Sequence, residues 1–431
     1  MESKPKAKNR RAKQLPRAIE LFAGVGGFRV GLNRIRSLEN TLRERERERF
    51  NFVFANQFEP STKRQDAFIC YQTHFPDGEN SNLDIAKVDK ASIPDFDLLT
   101  AGFPCQDYSV ARSLANEKGI EGKKGVLWWE INDILLTKKP KFALLENVDR
   151  LIKAPSKQRG RDFGIILHCL NQAGYGVLYK VINAADYGFP QRRRRVYIFA
   201  FRLDTAYGKK MSSIPAKQAI EEKGIFGKKF PIKPEGKLKE ADLTAYGGLL
   251  ALQEGFAFRF EDAGMMANGH IYTEKTTPIQ EKPIALGEIL EDLVDDQSLF
   301  LNERQIRKFA YLKGAKKIRR KAKNGHEYVY SEGPIANPDY LDRPSRTMLT
   351  SEGTINRSTH VVLDKQTGRP RLLSPRECER LNTFPDDWTA TMPKNRRYFM
   401  MGNALVCGLI ERIGDEIELI FKEEGKDGTG D

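Results

Sequence analysis

Residues 97–109 read DLLTAGFPCQDYS, and this stretch indicates the fold. Its apolar first half predicts a buried strand that ends at Gly102, and Pro104 then restricts the backbone on the approach to Cys105. Open α/β sheets bind their ligands beyond the carboxyl ends of the strands. The stretch therefore predicts an α/β fold with a thiol at the ligand-binding edge. A cysteine after a strand is more often a buried apolar residue, so this interpretation needs partners elsewhere in the chain.

The first partner is a glycine turn near the N-terminus. Residues 18–32 read AIELFAGVGGFRVGL, which predicts a strand, a glycine turn and a helix. Glycines in such a turn let the backbone approach a ligand closely. The turn is not a dinucleotide fingerprint, because the third glycine of G-x-G-x-x-G would fall at Arg29. This mismatch argues against a nicotinamide oxidoreductase.

The second partner is a carboxylate at the end of another strand. Residues 142–148 read FALLENV, which predicts an apolar strand with Glu146 near its carboxyl end. A glutamate there can be a solvated surface residue. It can also lie beside the thiol of Cys105, because parallel strands end at the same edge of a sheet.

The third partner is a run of four arginines. Residues 185–200 read ADYGFPQRRRRVYIFA, so the arginines lead directly into an apolar strand. Side chains alternate along a strand, which places Arg193 and Arg195 on one face and Arg192 and Arg194 on the other.

Together these segments resemble the cytosine-C5 DNA methyltransferase family. The order and spacing of the motifs also match the family, and the resemblance covers the chain except the N-terminal tail and much of residues 205–340. The matching motifs are Phe22-Ala23-Gly24-x-Gly26-Gly27, Gly102-Phe103-Pro104-Cys105-Gln106, Glu146-Asn147-Val148, Gln191-Arg192-Arg193-Arg194-Arg195 and Gly402-Asn403-Ala404.

The resemblance implies the roles of four catalytic residues. Cys105 would add to C6 of cytosine, which makes C5 nucleophilic. Glu146, in its protonated form, would contact the N3 edge of the base. Arg193 and Arg195 would stabilise the carbonyl O2 and orient the other groups. The target cytosine must leave the duplex stack before these groups can reach it.

The resemblance also implies S-adenosylmethionine (SAM) as the methyl donor. The family commonly has a glutamate for the ribose where this chain has Gln57. Two alternatives stay open, because either Gln57 or Glu59 would hold the ribose, while Phe58 would stack on the adenine. The residues expected to contact SAM are Phe22, Gly24, Gly26, Gly27, Gln57, Phe58, Asp84, Ile85, Pro104, Leu127 and Asn403.

Composition and charge indicate the partner and the compartment. The 431 residues carry a formal net charge of +14, which favours a polyanionic partner. The five cysteines form no C-x-x-C pair, so neither a metal site nor a disulfide framework is expected. No apolar run reaches membrane-spanning length. We expect a monomer in the bacterial cytoplasm, associated with the nucleoid through its DNA substrate.

The chain divides into four predicted parts. Residues 1–16 are a basic tail, and residues 17–203 are a SAM-binding catalytic domain with a doubly wound, Rossmann-like parallel sheet. Residues 204–394 are a smaller target recognition domain, and residues 395–431 return to the catalytic domain.

Several residues are predicted to contact DNA. Residues 304–323 contain ten Lys and Arg, no acid and interleaved aromatic residues, a composition typical of a surface that follows phosphates. The predicted DNA contacts are Gln106, Ser109, Lys316, Lys317, Arg319, Arg320 and Arg346. The recognised DNA sequence cannot be read from the chain, since base readout depends on few side chains in a variable region.

The resemblance therefore implies a DNA (cytosine-5)-methyltransferase whose genetic partner is a restriction endonuclease. One alternative is a tRNA cytosine-5-methyltransferase, although the Cys-Phe-Thr motif usual in that group is not found in this sequence. The other is a catalytically silent DNA-binding regulator on the same fold. The presence of Cys105, Glu146 and Arg195 argues against it.

Overall fold

The computed structural model contains a ten-stranded sheet as its central element. It describes residues 15–38, 48–103, 127–322 and 325–427. The strands are β1 (Arg17–Leu21), β2 (Asn51–Asn56), β3 (Glu79–Ser81), β4 (Leu98–Gly102), β5 (Phe142–Val148), β6 (Tyr175–Asn183), β7 (Arg194–Arg202), β8 (Ile232–Asp242), β9 (Ala263–Ala267), β10 (His270–Pro278), β11 (Lys316–Lys321), β12 (Glu327–Glu332), β13 (Val361–Leu363) and β14 (Pro370–Leu372).

Helices connect and cover these strands. They are α1 (Gly27–Leu32), α2 (Asp66–His74), α3 (Leu127–Lys138), α4 (Arg161–Gln172), α5 (Ala206–Ser213), α6 (Ala216–Gln218), α7 (Ile225–Lys229), α8 (Leu249–Gly255), α9 (Leu286–Ile289), α10 (Glu303–Lys313), α11 (Pro375–Leu381), α12 (Lys394–Asn403) and α13 (Cys407–Asp427). Every helix in the described part of the chain is too short or too polar to span a bilayer.

The sheet has a parallel half and an antiparallel half. Its strand order is β3-β2-β1-β4-β5-β7-β6-β9-β10-β8. The pairs from β3 to β5 are parallel, whereas all pairs from β5 to β8 are antiparallel. The predicted α/β class is confirmed, but a parallel sheet is correct only for the first five strands. Strands β6 and β7 follow each other closely in the chain and therefore pair as antiparallel neighbours.

The sheet continues past residue 203. Strands β8, β9 and β10 lie within the segment predicted as a separate recognition domain, yet β9 pairs directly with β6. Without β9, the edge of β6 would expose unpaired backbone groups, which folded proteins avoid. The predicted boundary at residue 203 therefore falls inside one sheet.

Alternation along the strands divides the core into two layers. In β5, Phe142 and Leu144 face one layer, and Ala143 and Leu145 face the other. The first layer includes α13, which packs so tightly on α1 that a Cβ at Gly31 would come within 2.5 Å of a backbone oxygen of α13. This contact brings the C-terminal helix back to the start of the chain.

A third, smaller hydrophobic cluster lies apart from the two layers beside the sheet. Its buried members are Val294, Leu299, Leu301, Phe309, Val361 and Leu372. These residues come from α10, from the hairpin β13–β14 and from the loop before α10. The basic hairpin β11–β12 follows directly after α10. The second, smaller domain predicted over residues 204–394 contains this cluster and stays a prediction.

Candidate active site

A cavity of about 260 Å³ opens beyond the carboxyl ends of the parallel strands. This is the edge where open α/β sheets bind ligands. Its lining residues are Glu20, Phe22, Ala23, Gly24, Val25, Gly27, Phe28, Gln57, Glu59, Gly102, Glu146, Phe384, Phe399, Met400, Asn403, Ala404 and Leu405. The cavity thus brings together the glycine turn, the end of β5 and the C-terminal segment of the chain.

The glycine turn between β1 and α1 forms one wall of the cavity. Gly26 has a φ of 88°, and a Cβ there would lie 2.8 Å from the ring of Phe75. Only glycine satisfies both conditions without strain. The turn is also held from the C-terminal side, because Trp388 Nε1 donates a hydrogen bond to the carbonyl oxygen of Val25 at 2.7 Å.

Glu20 is a buried acid in this wall that the sequence analysis did not identify as a site residue. Its Oε1 accepts a hydrogen bond from the Phe28 N–H at 3.0 Å, while Oε2 has no hydrogen-bond partner among the described residues. Burial raises the pKa of Glu20 to about 8, although the Phe28 N–H and Arg29 oppose the shift. An acid inside the apolar run IELF was the signal that could have identified it.

Gln57 and Glu59 both line the cavity but have different partners. The side-chain oxygen of Gln57 accepts a hydrogen bond from the Gly24 N–H at 2.7 Å, which ties it to the glycine turn. Glu59 forms an ion pair with Arg396. The two alternatives for the ribose therefore stay open, but Glu59 would have to share its charge with Arg396.

Glu146 and Arg195 form an ion pair at the cavity. Strands β5 and β7 bring them together, and Arg195 Nε lies 3.1 Å from Glu146 Oε1. Burial raises the pKa of Glu146, and this effect exceeds the opposing influence of Arg195 and Arg193. The carboxyl group therefore favours its neutral form more than a solvated glutamate does, as the predicted contact with the base requires.

Arg193 lies in a different environment from Arg195. Its side chain is 1% exposed and donates to the carbonyl oxygens of Met348 at 3.2 Å and Gly402 at 3.0 Å. Burial lowers the pKa of Arg193 to about 9. These two contacts join Arg193 to the loop at Met348 and to the end of α12, and its expected contact with the substrate stays a prediction.

Arg194 points to the opposite side of β7 from Arg195. It is exposed and pairs with Asp149 at 3.1 Å and with Asp262 at 2.6 Å. This arrangement is the alternation expected along a strand.

Four predicted site residues lie outside the described residues: Pro104, Cys105, Gln106 and Ser109. The last described residue before them is Phe103, whose carbonyl oxygen accepts a hydrogen bond from Asn147 Nδ2 at 2.8 Å. Asn147 directly follows Glu146, and Gly102 pairs with Glu146 in the sheet. The segment that carries Cys105 thus starts next to the Glu146–Arg195 pair.

The other predicted SAM contacts are divided between the cavity and its surroundings. The cavity is lined by Phe22, Gly24, Gly27, Gln57 and Asn403. The residues outside its lining are Gly26, Phe58, Asp84, Ile85 and Leu127. Among these, Phe58 is 37% exposed, and Asp84 accepts a hydrogen bond from the Ala86 N–H at 3.2 Å. Their roles stay predictions.

The predicted DNA contacts on the hairpin β11–β12 occupy two faces. On one face, Lys316 Nζ lies 3.7 Å from Glu332, and Arg320 stacks on the ring of Tyr330 at 3.8 Å. Lys317 and Arg319 are exposed on the opposite face. The second pair is therefore better placed for a partner outside the protein.

Arg346 is turned inward. Its guanidinium donates to Asp339 at 2.7 Å and to the carbonyl oxygen of Ser358 at 2.9 Å. These contacts favour a structural role over the expected contact with DNA. Within the described ranges, no group of three or more His, Cys, Asp or Glu is arranged to hold a metal ion.

Comparison with known proteins places this site in context. The chain matches the profile of the family described as C-5 cytosine-specific DNA methylase over residues 17–419. The type II methyltransferase M.Sau3AI of Staphylococcus aureus is 50% identical over 407 residues, which are 94% of this chain and 96% of that protein. M.HhaI of Haemophilus parahaemolyticus is 28% identical over 406 residues, 93% of this chain and 94% of that protein. The solved structure of the S. pombe Dnmt2 methyltransferase shares the fold, with a TM-score of 0.55 at 14% identity over 95% of this chain and 99% of that chain.

Proposed function

This chain belongs to the C-5 cytosine-specific DNA methylase family, as its motifs predicted, and we propose that it methylates C5 of a flipped-out cytosine in a specific duplex DNA sequence through a covalent bond to Cys105. The observation that carries the proposal is the partly buried Glu146–Arg195 ion pair beside the strand that leads to Cys105. The named relatives are type II methyltransferases, which favours duplex DNA over tRNA and an enzyme over a silent regulator.

The residues of the cavity fit SAM. Glu20 presents a carboxyl oxygen without a partner, which suits the amino group of the methionine part. The glycine turn leaves backbone close to the cavity, and Gln57 or Glu59 would hold the ribose. When bound, SAM supplies an electrophilic methyl group.

The protein's own residues prepare the base for methylation. The Cys105 thiolate adds to C6, and the ring becomes an enamine with a nucleophilic C5. Glu146 donates a hydrogen bond from its protonated carboxyl group to N3 while negative charge builds on the ring. Arg195 holds that carboxyl group in place and stabilises O2. After methylation, loss of the C5 proton and expulsion of Cys105 restore the aromatic ring.

A DNA substrate also has consequences for the protein's phosphate contacts, its location and its genetic partner. Lys317 and Arg319 on the hairpin β11–β12 would contact phosphates. The protein would act as a monomer at the nucleoid in the bacterial cytoplasm, with a restriction endonuclease as its genetic partner.

The covalent step can be tested with duplex DNA that carries 5-fluorocytosine at the methylated position. Fluorine cannot leave C5 as a proton does, so we expect the wild-type protein and SAM to form an adduct that survives denaturation. Cys105→Ala should form no adduct and show no methyl transfer, yet still bind SAM and DNA. Cys169→Ala, at a cysteine buried in the core, is the matched control and should form the adduct. Methyl transfer by Cys105→Ala near the wild-type rate would disprove the covalent mechanism.

A further inference from the structure

One guanidinium joins both ends of the basic hairpin β11–β12. Arg357 Nη1 donates to the carbonyl oxygens of Leu312 at 2.6 Å and Gly314 at 3.2 Å, just before the hairpin begins. Its Nη2 donates to the carbonyl oxygen of Gly333, directly after the hairpin ends. The Nη1 atom also lies 3.3 Å from a carboxylate oxygen of Glu332. Arg357 therefore holds the entry and the exit of the hairpin together.

The loop that carries Arg357 is attached at its other end to the segment that leads directly into β7. Met348 donates its backbone N–H to Gln191 at 3.0 Å and accepts a hydrogen bond from Arg193 at 3.2 Å. Between these two ends the loop packs against α12, since a Cβ added at Gly353 would lie 2.3 Å from the ring of Tyr398 in that helix. The residues from Met348 to Arg357 thus form a fixed connection from the active site to the hairpin.

A buried ionic cluster around Asp339 lies next to the end of α10, where the chain enters the hairpin. Asp339 accepts hydrogen bonds from Lys313 at 2.8 Å, from Arg346 at 2.7 Å and from the Val361 N–H at 3.0 Å. Lys313 is the last residue of α10, and it is 1% exposed. Hydrogen bonds from Arg346 and charges nearby lower the pKa of Asp339 to about 2 against the effect of burial. Asp339 therefore links the end of α10, just before the hairpin, to Arg346 and to β13.

We propose that Arg357 is a positioning residue for DNA recognition, because it fixes the hairpin β11–β12 relative to the Glu146–Arg195 pair. The inference rests on the proposed function, since it takes duplex DNA as the partner of the hairpin. Arg357 contacts a carbonyl oxygen in the last turn of α10, as a cation that caps a helix does. The contact with Gly333 and the attachment of the loop to Arg193 go beyond such a cap.

Loss of Arg357 should affect the position of the hairpin on the DNA more than its attraction to the phosphates. A two-stranded ribbon fits the major groove, and base contacts require its side chains to stay within hydrogen-bond distance of the base edges. Loss of Arg357 leaves Lys317 and Arg319 on the hairpin, so attraction to phosphates persists. It loosens the link between the hairpin and the active site, so discrimination between sites falls.

The test compares Arg357→Ala and Arg357→Lys with a charge-matched control. The control is Arg369→Ala, which removes a cation stacked on Phe300 and leaves the hairpin contacts intact. Each protein methylates plasmid DNA, and bisulfite sequencing gives the ratio of methylation at the wild-type site to methylation at related sites. We expect both Arg357 variants to lower this ratio by about tenfold or more, comparable to the loss of one base-pair contact. Their kcat should fall, and their affinity for nonspecific duplex at low salt should persist.

Two results would overturn the inference. The first is a wild-type site ratio in Arg357→Lys. A lysine lacks the planar guanidinium that contacts both ends of the hairpin, so this result would mean that only the charge at position 357 matters. Arg357→Ala with weaker binding to all duplexes and an unchanged site ratio would make Arg357 a phosphate contact.

A second variant keeps the test decisive if Arg357→Ala does not fold. Glu332→Gln removes the carboxylate that pairs with Arg357, and it should lower the site ratio in the same direction by a smaller factor. An unchanged ratio in Glu332→Gln would then count against the inference. A wild-type protein that methylates no cytosine would instead refute the proposed function.

Discussion

Two carboxyl groups that line one cavity, the buried Glu20 and the partly buried Glu146, have different hydrogen-bond and ion-pair partners. Glu146 has a guanidinium 3.1 Å away, whereas Glu20 accepts a hydrogen bond from the Phe28 N–H at 3.0 Å. Burial raises the pKa of both groups. At the scale of the residue, the chemistry therefore depends on which charge each carboxyl group faces. Glu146 faces a cation that can orient it toward a base, and Glu20 offers an unoccupied oxygen.

Substitutions at Arg195 and Arg194 test the roles of the two faces of β7 independently. Arg195→Ala removes the partner of Glu146 and should lower kcat by more than about 100-fold, the scale expected for a group that stabilises charge in the transition state. Arg194→Ala is the matched control, because its side chain pairs with surface carboxylates on the opposite face. Steady-state methylation kinetics measure both effects. Equal losses in the two variants would contradict the assignment of the faces.

The pKa of Glu20 predicts a pH dependence of stability. The folded protein holds a proton on Glu20 up to about pH 8, whereas the unfolded chain releases it near the ordinary value of 4.5. The unfolded state therefore binds fewer protons between these values, and the free energy of unfolding falls as the pH rises through this window. Glu20→Gln keeps the acceptor for Phe28 and removes the titration.

We expect the melting temperature to fall less steeply between pH 5 and pH 8 in Glu20→Gln than in the wild-type protein. The comparison cancels other buried acids, such as Glu274, whose pKa burial raises to about 7. Parallel melting curves in both proteins would show that Glu20 does not titrate in this range.

The hairpin β11–β12 shows how an element distributes its charges. Alternation assigns Lys316 and Arg320 to a face where they pair with Glu332 and Tyr330, and assigns Lys317 and Arg319 to the free face. The run of basic residues in the sequence therefore does not act as one uniform surface. The charges of Lys316 and Arg320 serve the hairpin itself.

This division predicts different salt dependences for two double variants. Neutralising Lys317 and Arg319 should flatten the plot of log affinity against log salt by about 0.9 for each lost phosphate contact. Neutralising Lys316 and Arg320 should change the slope less, because their charges are partly satisfied within the hairpin. Titrations of fluorescent duplex DNA at several salt concentrations provide the measurement. An unchanged slope in the first variant would mean that this face points away from DNA.

At the scale of the whole molecule, the ten-stranded sheet joins segments that the motifs assign to different domains. The pairing of β6 with β9 connects residues 177–180 with residues 263–266. The two strands pack closely, since a Cβ added at Gly264 would lie 2.4 Å from the ring of Tyr179. The catalytic half of the sheet and its antiparallel extension should therefore unfold together.

Gly264→Ala tests this cooperativity. The added methyl group overlaps the buried ring of Tyr179, and overpacking of this kind costs about 1–3 kcal/mol. Calorimetry should show a lower melting temperature for the main transition, the one that SAM shifts upward. Gly247→Ala is the matched control, because nothing lies within 4 Å of its added Cβ. A shift confined to a separate transition that SAM does not move would indicate independent domains.

The sequence by itself determined the fold class, the family and the strand ends that carry Glu146 and Arg195. These features are local, because the period-two pattern of a strand and the position of a polar residue at its end lie within about ten residues. The role proposed for Cys105 also rests on the sequence alone, since that residue lies outside the described ranges.

Only the tertiary structure decided the partners and the solvation of the site residues. Arg193 binds carbonyl oxygens 155 and 209 residues away, and Arg346 turns inward to Asp339. No local pattern encodes such distances. The acid inside the apolar run IELF marks Glu20 as unusual, but only the fold places it in the wall of the cavity. A pKa depends on the burial that folding imposes, and a partner depends on which loops folding brings together. The sequence specified which chemical groups are present, and the packing of distant segments specified which of them meet.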